Sequence, residues 1–214
     1  MKRFIREFIY DLKEPGICIW MIPILVIAFI FLSYFWHSEL GLNDTLTLAL
    51  LELLLPFMGG YASIMLMQGL LDTDGCEILF SYPRSNLYWG LLREIRFFCF
   101  FFPLVALASF LTANTMEAPS FGLFFLTLIQ CFAVMGIAFG GIALTRRVSA
   151  GLIILIAFVG IQITLGREFS VFNLIYVLNG RYPSSSQIVR IGIRGLLVGI
   201  FGYGIGQVWI RPVS

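Results

Sequence analysis

Residues 71–96 read LDTDGCEILFSYPRSNLYWGLLREIR and form the longest polar interruption in a chain that is otherwise strongly apolar. Their charged residues are Asp72, Asp74, Glu77, Arg84, Arg93, Glu94 and Arg96. An amphipathic run from Glu77 to Tyr82 lies between these charges and ends at Pro83, which predicts one or two helical turns stopped by proline. The stretch therefore predicts a polar turn that lies under the membrane and connects two membrane spans.

The composition places the rest of the chain in a membrane. Of 214 residues, 59% are hydrophobic and only 12% are charged, whereas soluble domains carry roughly 25% charged residues. A span takes roughly 20 residues, so the length suffices for about six spans. We expect one all-α integral membrane domain over residues 1–214.

The order of apolar and polar segments predicts the elements of this domain. Residues 2–14 have helical apolar spacing and predict an N-terminal amphipathic interfacial helix. Residues 166–187 are too apolar for a plain loop and too interrupted for a span, which predicts a re-entrant or interfacial segment before span six. The six predicted spans are 17–36, 46–70, 97–112, 121–144, 148–165 and 188–209.

The basic residues predict the orientation. With the N-terminus inside, ten of the 14 lysines and arginines fall on the cytoplasmic side, among them Arg146 and Arg147. The positive-inside rule then places both termini in the cytoplasm. We expect a multi-pass protein of a prokaryotic cytoplasmic membrane.

Several kinds of chemistry are disfavoured. His37 is the only histidine, so a multi-histidine metal site cannot be built within one chain. No glycine-rich loop precedes either lysine, so the chain has no P-loop for ATP, and no basic run suggests nucleic acid. The four cysteines show no CxxC spacing, which argues against a zinc site or a disulfide framework. We expect no catalytic residues and no metal.

Three charged residues are candidates for a substrate pathway. Glu52 lies inside predicted span two, where a carboxylate is costly, and this indicates substrate contact, ion coupling, a water-filled vestibule or pairing with an arginine such as Arg190. Arg190 and Arg194 are one helical turn apart in span six and either bind an acidic group or snorkel to outer lipid headgroups.

Glycines recur at helical spacing in two spans. Span six contains Gly195, Gly199, Gly202 and Gly206, and span four contains Gly136, Gly140 and Gly141. Such GxxxG spacings allow close helix approach, either within one chain or between two chains. In span two, Pro56 with Gly59 and Gly60 predicts a kink or a hinge.

The overall pattern resembles the membrane subunit of an ABC transporter of the type-2 exporter permease class. The most specific local similarity is GCEILFSYPRSNLYWGLLREI at 75–95, where an acidic residue precedes leucine-containing turns, a small residue, a proline and a basic or polar pair. The residues at those places are Glu77, Leu79, Ser81, Pro83, Arg84 and Ser85.

The resemblance implies that this chain forms part of a membrane pathway and that a separate chain binds ATP. Residues 2–14 would form the elbow helix, and residues 75–83 would form the coupling helix that docks on a separate ATPase subunit, which binds ATP and magnesium. The residues implied in ATPase coupling are Glu77, Ile78, Leu79, Phe80, Tyr82, Pro83 and Arg84. A second permease chain, identical or different, would complete the pathway through the lipid bilayer for a substrate such as a peptide, a drug or a lipid.

Two other classes of function remain open at this point. The chain is alternatively a stand-alone six-span membrane protein, or a substrate-binding component of an uptake transporter, which would also be small, apolar and dependent on an ATPase. An intramembrane enzyme is disfavoured because it needs clustered histidine, aspartate or serine residues, and the chain offers only scattered Glu52 and His37.

Overall fold

A computed structural model describes residues 24–26, 28, 32, 35, 44–71, 86–115, 119–165, 173–174 and 183–210. These residues form helices and their connections, without a β-strand in the described ranges. The helices are α1 (Asp44–Leu71), α2 (Asn86–Trp89), α3 (Leu91–Thr115), α4 (Ser120–Thr145), α5 (Val148–Leu165) and α6 (Ser185–Trp209). Isolated residues at 24–26, 28, 32 and 35 are also helical.

Four of these helices are long and apolar enough to cross a membrane, namely those at Thr47–Leu71, Leu87–Asn114, Ser120–Thr145 and Ser185–Trp209. A shorter apolar helix covers Val148–Thr164. The protein is therefore an α-helical, multi-pass membrane protein. The predicted interfacial helix at 2–14 and the coupling segment at 75–83 lie outside the described residues, as does most of span one.

The helix at the predicted third span differs from the prediction. We expected 97–112, and α3 runs from Leu91 to Thr115. Arg93, Glu94 and Arg96 belong to the polar turn predicted at 71–96, but in the structure they are 2%, 1% and 6% exposed. The assignment to the turn was wrong because these charges are buried among neighbouring helices and continue the helix instead of interrupting it.

Helix α4 is the centre of the bundle and contacts α1, α3, α5 and α6. It ends at Arg146, whose left-handed backbone (φ 54°) closes the turn with a 2.7 Å hydrogen bond from its N–H to the Ile142 carbonyl. Helix α5 begins two residues later and therefore returns antiparallel to α4. Threonine hydroxyls such as Thr127 Oγ1 donate to the carbonyl four residues earlier, which satisfies them within an apolar helix.

The closest helix contact is between α4 and α6, which run parallel. A Cβ atom built on Gly136 would lie 2.6 Å from the Gly199 carbonyl oxygen, and one built on Gly140 would lie 2.9 Å from that of Gly202. The two glycine series thus face each other within one chain and bring the backbones into contact. Of the two arrangements that the spacing allowed, the structure shows the intrachain one.

The opposite face of α6 is apolar and exposed. Leu197 is 63% exposed and Phe201 is 68% exposed, while Gly195, Gly199 and Gly202 are buried. Large apolar side chains on the outside and small residues inside are typical of a helix packed in lipid, where small residues permit close packing. This arrangement agrees with the membrane location that the composition predicts.

Candidate functional site

Glu52 lies about two turns into α1 and is fully buried. Its carboxylate oxygen Oε1 accepts a 3.0 Å hydrogen bond from Gln130 Nε2 of α4. The same amide nitrogen donates a 2.6 Å hydrogen bond to the backbone carbonyl of Leu174. An amide nitrogen carries two hydrogens, so Gln130 uses both of them to join α1, α4 and the segment before α6.

A second glutamine, Gln162 of α5, also forms a hydrogen bond with the segment before α6. Gln162 Oε1 accepts a 2.9 Å hydrogen bond from the backbone N–H of Leu174, so both backbone polar groups of this residue are bonded to glutamines. Gln130 and Gln162 are 1% and 3% exposed. Backbone outside a helix is tolerated at membrane depth only where protein groups satisfy it, and the two glutamines supply that satisfaction. We name Glu52, Gln130, Gln162 and Leu174 the polar cluster.

The polar cluster surrounds a small cavity. Its volume is about 10 Å³, which is close to the minimum for one water-sized particle. Besides the polar cluster, its walls include Pro56 and Phe158. Proline has no N–H to donate to the carbonyl four residues earlier, so the helical hydrogen-bond ladder of α1 is altered at the level of Glu52.

One atom of the cluster has no partner among the residues that the structure describes. Gln130 Oε1 is buried and accepts no hydrogen bond. An unsatisfied buried acceptor costs about 1–3 kcal/mol.

A second buried polar group joins α1 to α3 near the other end of the bundle. Ser63 Oγ of α1 donates a 2.8 Å hydrogen bond to Glu94 Oε1 of α3. The adjacent Arg93 is also buried, and the Arg96 guanidinium lies 5.2 Å from the centre of the Tyr88 ring. Glu94 is thus a second acidic residue within an apolar helix, in addition to Glu52.

The two candidate arginines both lie on α6. Arg190 is exposed and Arg194 is half-buried in the first turns of α6. Neither is among the described residues that line the cavity at Glu52. Their position near a helix end agrees with snorkelling, and a role in binding an acidic group stays a prediction.

The residues predicted for ATPase coupling lie outside the described ranges. They are Glu77, Ile78, Leu79, Phe80, Tyr82, Pro83 and Arg84. The described residues on either side of them are Leu71, the last residue of α1, and Asn86, the first residue of α2. Their coupling role therefore stays a prediction.

An apolar groove, not anticipated from the sequence, runs between α3 and α6. Its volume is about 590 Å³, and Phe98, Phe132 and Tyr203 form part of its wall. At one end, Gln207 Oε1 accepts a 2.9 Å hydrogen bond from the Leu91 N–H, which caps the first turn of α3. The aromatic residues come from three helices, so sequence spacing along any one helix does not show the groove.

Comparison with known proteins returned no match to a family model, to a curated protein or to a solved structure. Within the described ranges, no three histidine, cysteine, aspartate or glutamate residues come together as a metal site.

Proposed function

We propose that this chain is the transmembrane subunit of an ATP-driven exporter of the type-2 ABC permease class. It forms the translocation pathway with a second permease chain and couples to a separate ATPase through residues 71–96. The support is the similarity of residues 75–95 to the coupling segment of that class, together with the four long apolar helices. The proposed location is a prokaryotic cytoplasmic membrane with both termini inside.

The buried hydrogen bond from Ser63 to Glu94 provides the connection between helices that the proposed coupling needs. It connects α1, which ends before residues 72–85, to α3, which follows them after the short helix α2. Glu94 is the fourth residue of α3, only about 5 Å along the axis from its start at a rise of 1.5 Å per residue. A hydrogen bond in an apolar interior is electrostatically stronger than the same bond in water, so a force on the turn would act on both helices together.

The mechanism follows from this connection. Closure of two ATPases on ATP would pull the two turns, and the hydrogen bond between Ser63 and Glu94 would make α1 and α3 respond together. Glu52 lies on the same helix as Ser63, so a movement of α1 changes the position of Glu52 relative to Gln130. Binding energy at a soluble site would thus become a rearrangement at the polar cluster, as in other domain-coupled transitions.

The docking assignment is tested by the double variant Glu77→Lys with Leu79→Asp. It reverses one charge and places a charge at an apolar position of the proposed coupling helix, so we expect loss of the co-purifying ATPase and of transport. The matched control is Glu117→Lys with Ala118→Asp, which makes equivalent changes in the loop at the opposite end. The native chain and both variants are purified gently from the native host, and bound proteins and ATP hydrolysis are measured.

The results of this experiment distinguish an exporter subunit from a stand-alone membrane protein and from an uptake component. An ATPase bound to the native chain and to the control, but lost from the 77/79 variant, supports the coupling role. A 77/79 variant with full assembly and transport would show that residues 75–83 are not the docking helix. A native chain that purifies without any ATPase would instead support a stand-alone membrane protein. An ATPase accompanied by substrate accumulation inside cells would support an uptake component.

A further inference from the structure

We propose that the apolar groove between α3 and α6 holds one acyl chain of a glycerophospholipid from the surrounding membrane. The proposal goes beyond the exporter function, because it assigns a lipid site to a single chain and needs neither an ATPase nor a second permease. It rests on the walls of the groove, on its open side and on its position along the two helices.

Aromatic rings from three helices form part of the wall. The ring centre of Phe132 of α4 lies 6.0 Å from that of Phe98 of α3 and 5.1 Å from that of Tyr203 of α6. The other lining residues are mainly aliphatic and include Leu91, Ile95, Ile200 and Val208. A bound water needs two to four polar partners, so this wall favours an apolar occupant. The volume of about 590 Å³ falls within the range of roughly 300–1,000 Å³ that is usual for small-molecule sites.

The open side of the groove belongs to the lipid-facing surface of α6. Ile200 and Val208 line the groove and are 62% and 57% exposed. Their helical spacing places them on the same face as the exposed Leu197 and Phe201. The groove is therefore continuous with the surface that meets lipid. Since lipid tails are as apolar as leucine, an acyl chain enters it sideways without leaving hydrocarbon.

The groove lies within one leaflet. Its lining residues on α6 run from Ile200 to Val208, which is about 12 Å along the axis at a rise of 1.5 Å per residue. Trp209 ends α6 directly after them, and tryptophan is enriched at membrane interfaces. Because the hydrocarbon core is about 30 Å thick, the groove extends from the interface toward the midplane, on the side where α3 begins and α6 ends.

This position favours an acyl chain over a helix of a second copy. A membrane span crosses the whole core of about 30 Å, so the groove would match less than half of its length. An acyl chain begins at the interface and ends within the same leaflet, which is the course that the groove follows.

A polar side chain lies at the interfacial end of the groove, where the ester groups of a lipid would be. Gln207 lines the groove, and its side-chain oxygen accepts the 2.9 Å hydrogen bond from the Leu91 N–H. The amide nitrogen carries two hydrogens, and an ester carbonyl oxygen is an acceptor for them. The polar and apolar parts of a glycerophospholipid thus match the two ends of the groove.

The first test is binding of ¹⁴C-labelled dioleoylphosphatidylcholine to the full chain, purified and depleted of lipid in detergent. We expect saturable binding of one lipid per chain. The thermal unfolding temperature should also rise with the lipid and then saturate, because a ligand that binds only the native state stabilises it by mass action.

Two open glycines provide a variant and its matched control. A Cβ atom built on Gly204 or on Gly160 would meet no atom within 4 Å, but only Gly204 lines the groove. Gly204→Phe should weaken lipid binding by roughly tenfold or more, because the ring occupies the groove and the chain loses its apolar contact. Gly160→Phe adds the same ring to α5 and should keep both the binding and the lipid-dependent rise.

A second pair of variants applies if Gly204→Phe does not fold. Val208 and Val189 are both 57% exposed and lie near opposite ends of α6. Val208→Phe narrows the groove and should weaken lipid binding, whereas Val189→Phe should not.

Three results would overturn the proposal. Binding to the native chain that does not saturate means ordinary boundary lipid only. Equal lipid binding by both members of a variant pair means that the lipid binds elsewhere. A native chain that is dimeric without lipid and becomes monomeric in Gly204→Phe, but not in Gly160→Phe, assigns the groove to a second copy instead.

Discussion

Two glycines on α6 allow a sharp test of the contact between α4 and α6. A Cβ atom built on Gly202 would overlap the backbone carbonyl group of Gly136 and lie 2.8 Å from the nitrogen of Ile137. One built on Gly204 would meet no atom within 4 Å. The variants Gly202→Ala and Gly204→Ala therefore add the same methyl group to the same helix two residues apart, and only one of them meets another helix.

The expected difference follows from two contributions. Alanine in place of a mid-helix glycine stabilises a helix by roughly 0.5–1 kcal/mol, and this contribution is common to both variants. Overpacking costs roughly 1–3 kcal/mol, and it applies only at Gly202, where backbone atoms cannot rotate away. Since 1 kcal/mol shifts the unfolding temperature of a chain of this size by about 2–4 °C, Gly202→Ala should unfold about 2–12 °C below Gly204→Ala.

Thermal unfolding in one detergent, followed by tryptophan fluorescence, measures this difference. Both variants are compared with the native chain at equal protein concentration, so that any association affects them equally. Equal unfolding temperatures for the two variants would refute the close backbone contact between α4 and α6. A lower temperature for Gly204→Ala would instead mean that the other face of α6 is packed.

Two further predictions concern the buried serines Ser63 and Ser109 and the orientation of the chain in the membrane. Ser63→Ala removes the donor to Glu94 and should lower the free energy of unfolding by about 1–3 kcal/mol. In the same denaturation measurement, Ser109→Ala should not lower the free energy of unfolding, because its buried hydroxyl has no partner among the described residues and removing it relieves a desolvation cost; an equal loss in both would show that Ser63 does not act through Glu94. Reporter fusions should place Arg146 in the cytoplasm and Pro119 outside, and the reverse result would refute the orientation drawn from the basic residues.

The helices were largely predictable because apolar length is a local property. A helix occupies Val148–Leu165, the range predicted for span five, and α4 extends the range predicted for span four by one residue at each end. The start of α6 at Ser185 precedes the predicted start because Ser184 and Gln187 form a capping box, which continues the helix into polar residues. The capping box is visible in the sequence, but it falls within the segment 166–187, whose mixed composition predicts neither a plain loop nor a span.

The start of α3 could not be predicted from hydropathy alone. Arg93, Glu94 and Arg96 are polar by composition, so a hydropathy pattern assigns them to the turn. Their burial depends on partners from distant parts of the chain, such as Ser63 for Glu94. Tertiary contacts of this kind leave no local periodicity.

The candidate site was predictable in part. Glu52 was identified because a carboxylate within a span is costly. Gln130 and Gln162 are neutral, lie singly within apolar runs and give no motif, so the partners of Glu52 were not predicted. The structure brings them together because α1, α4 and α5 meet at Leu174.

The parallel pairing of α4 and α6 affects how the protein is made. The glycine face of α4 leaves the ribosome before α5, the segment before α6 and α6 itself, so its partner is missing during the seconds that synthesis takes at about 5–20 residues per second. During that interval Gly136 and Gly140 present a small-residue surface to lipid, to other nascent helices and to membrane proteases. A pause in translation between α5 and α6 lengthens this exposure, so the yield of assembled protein depends on how fast the ribosome reads the codons for residues 166–184.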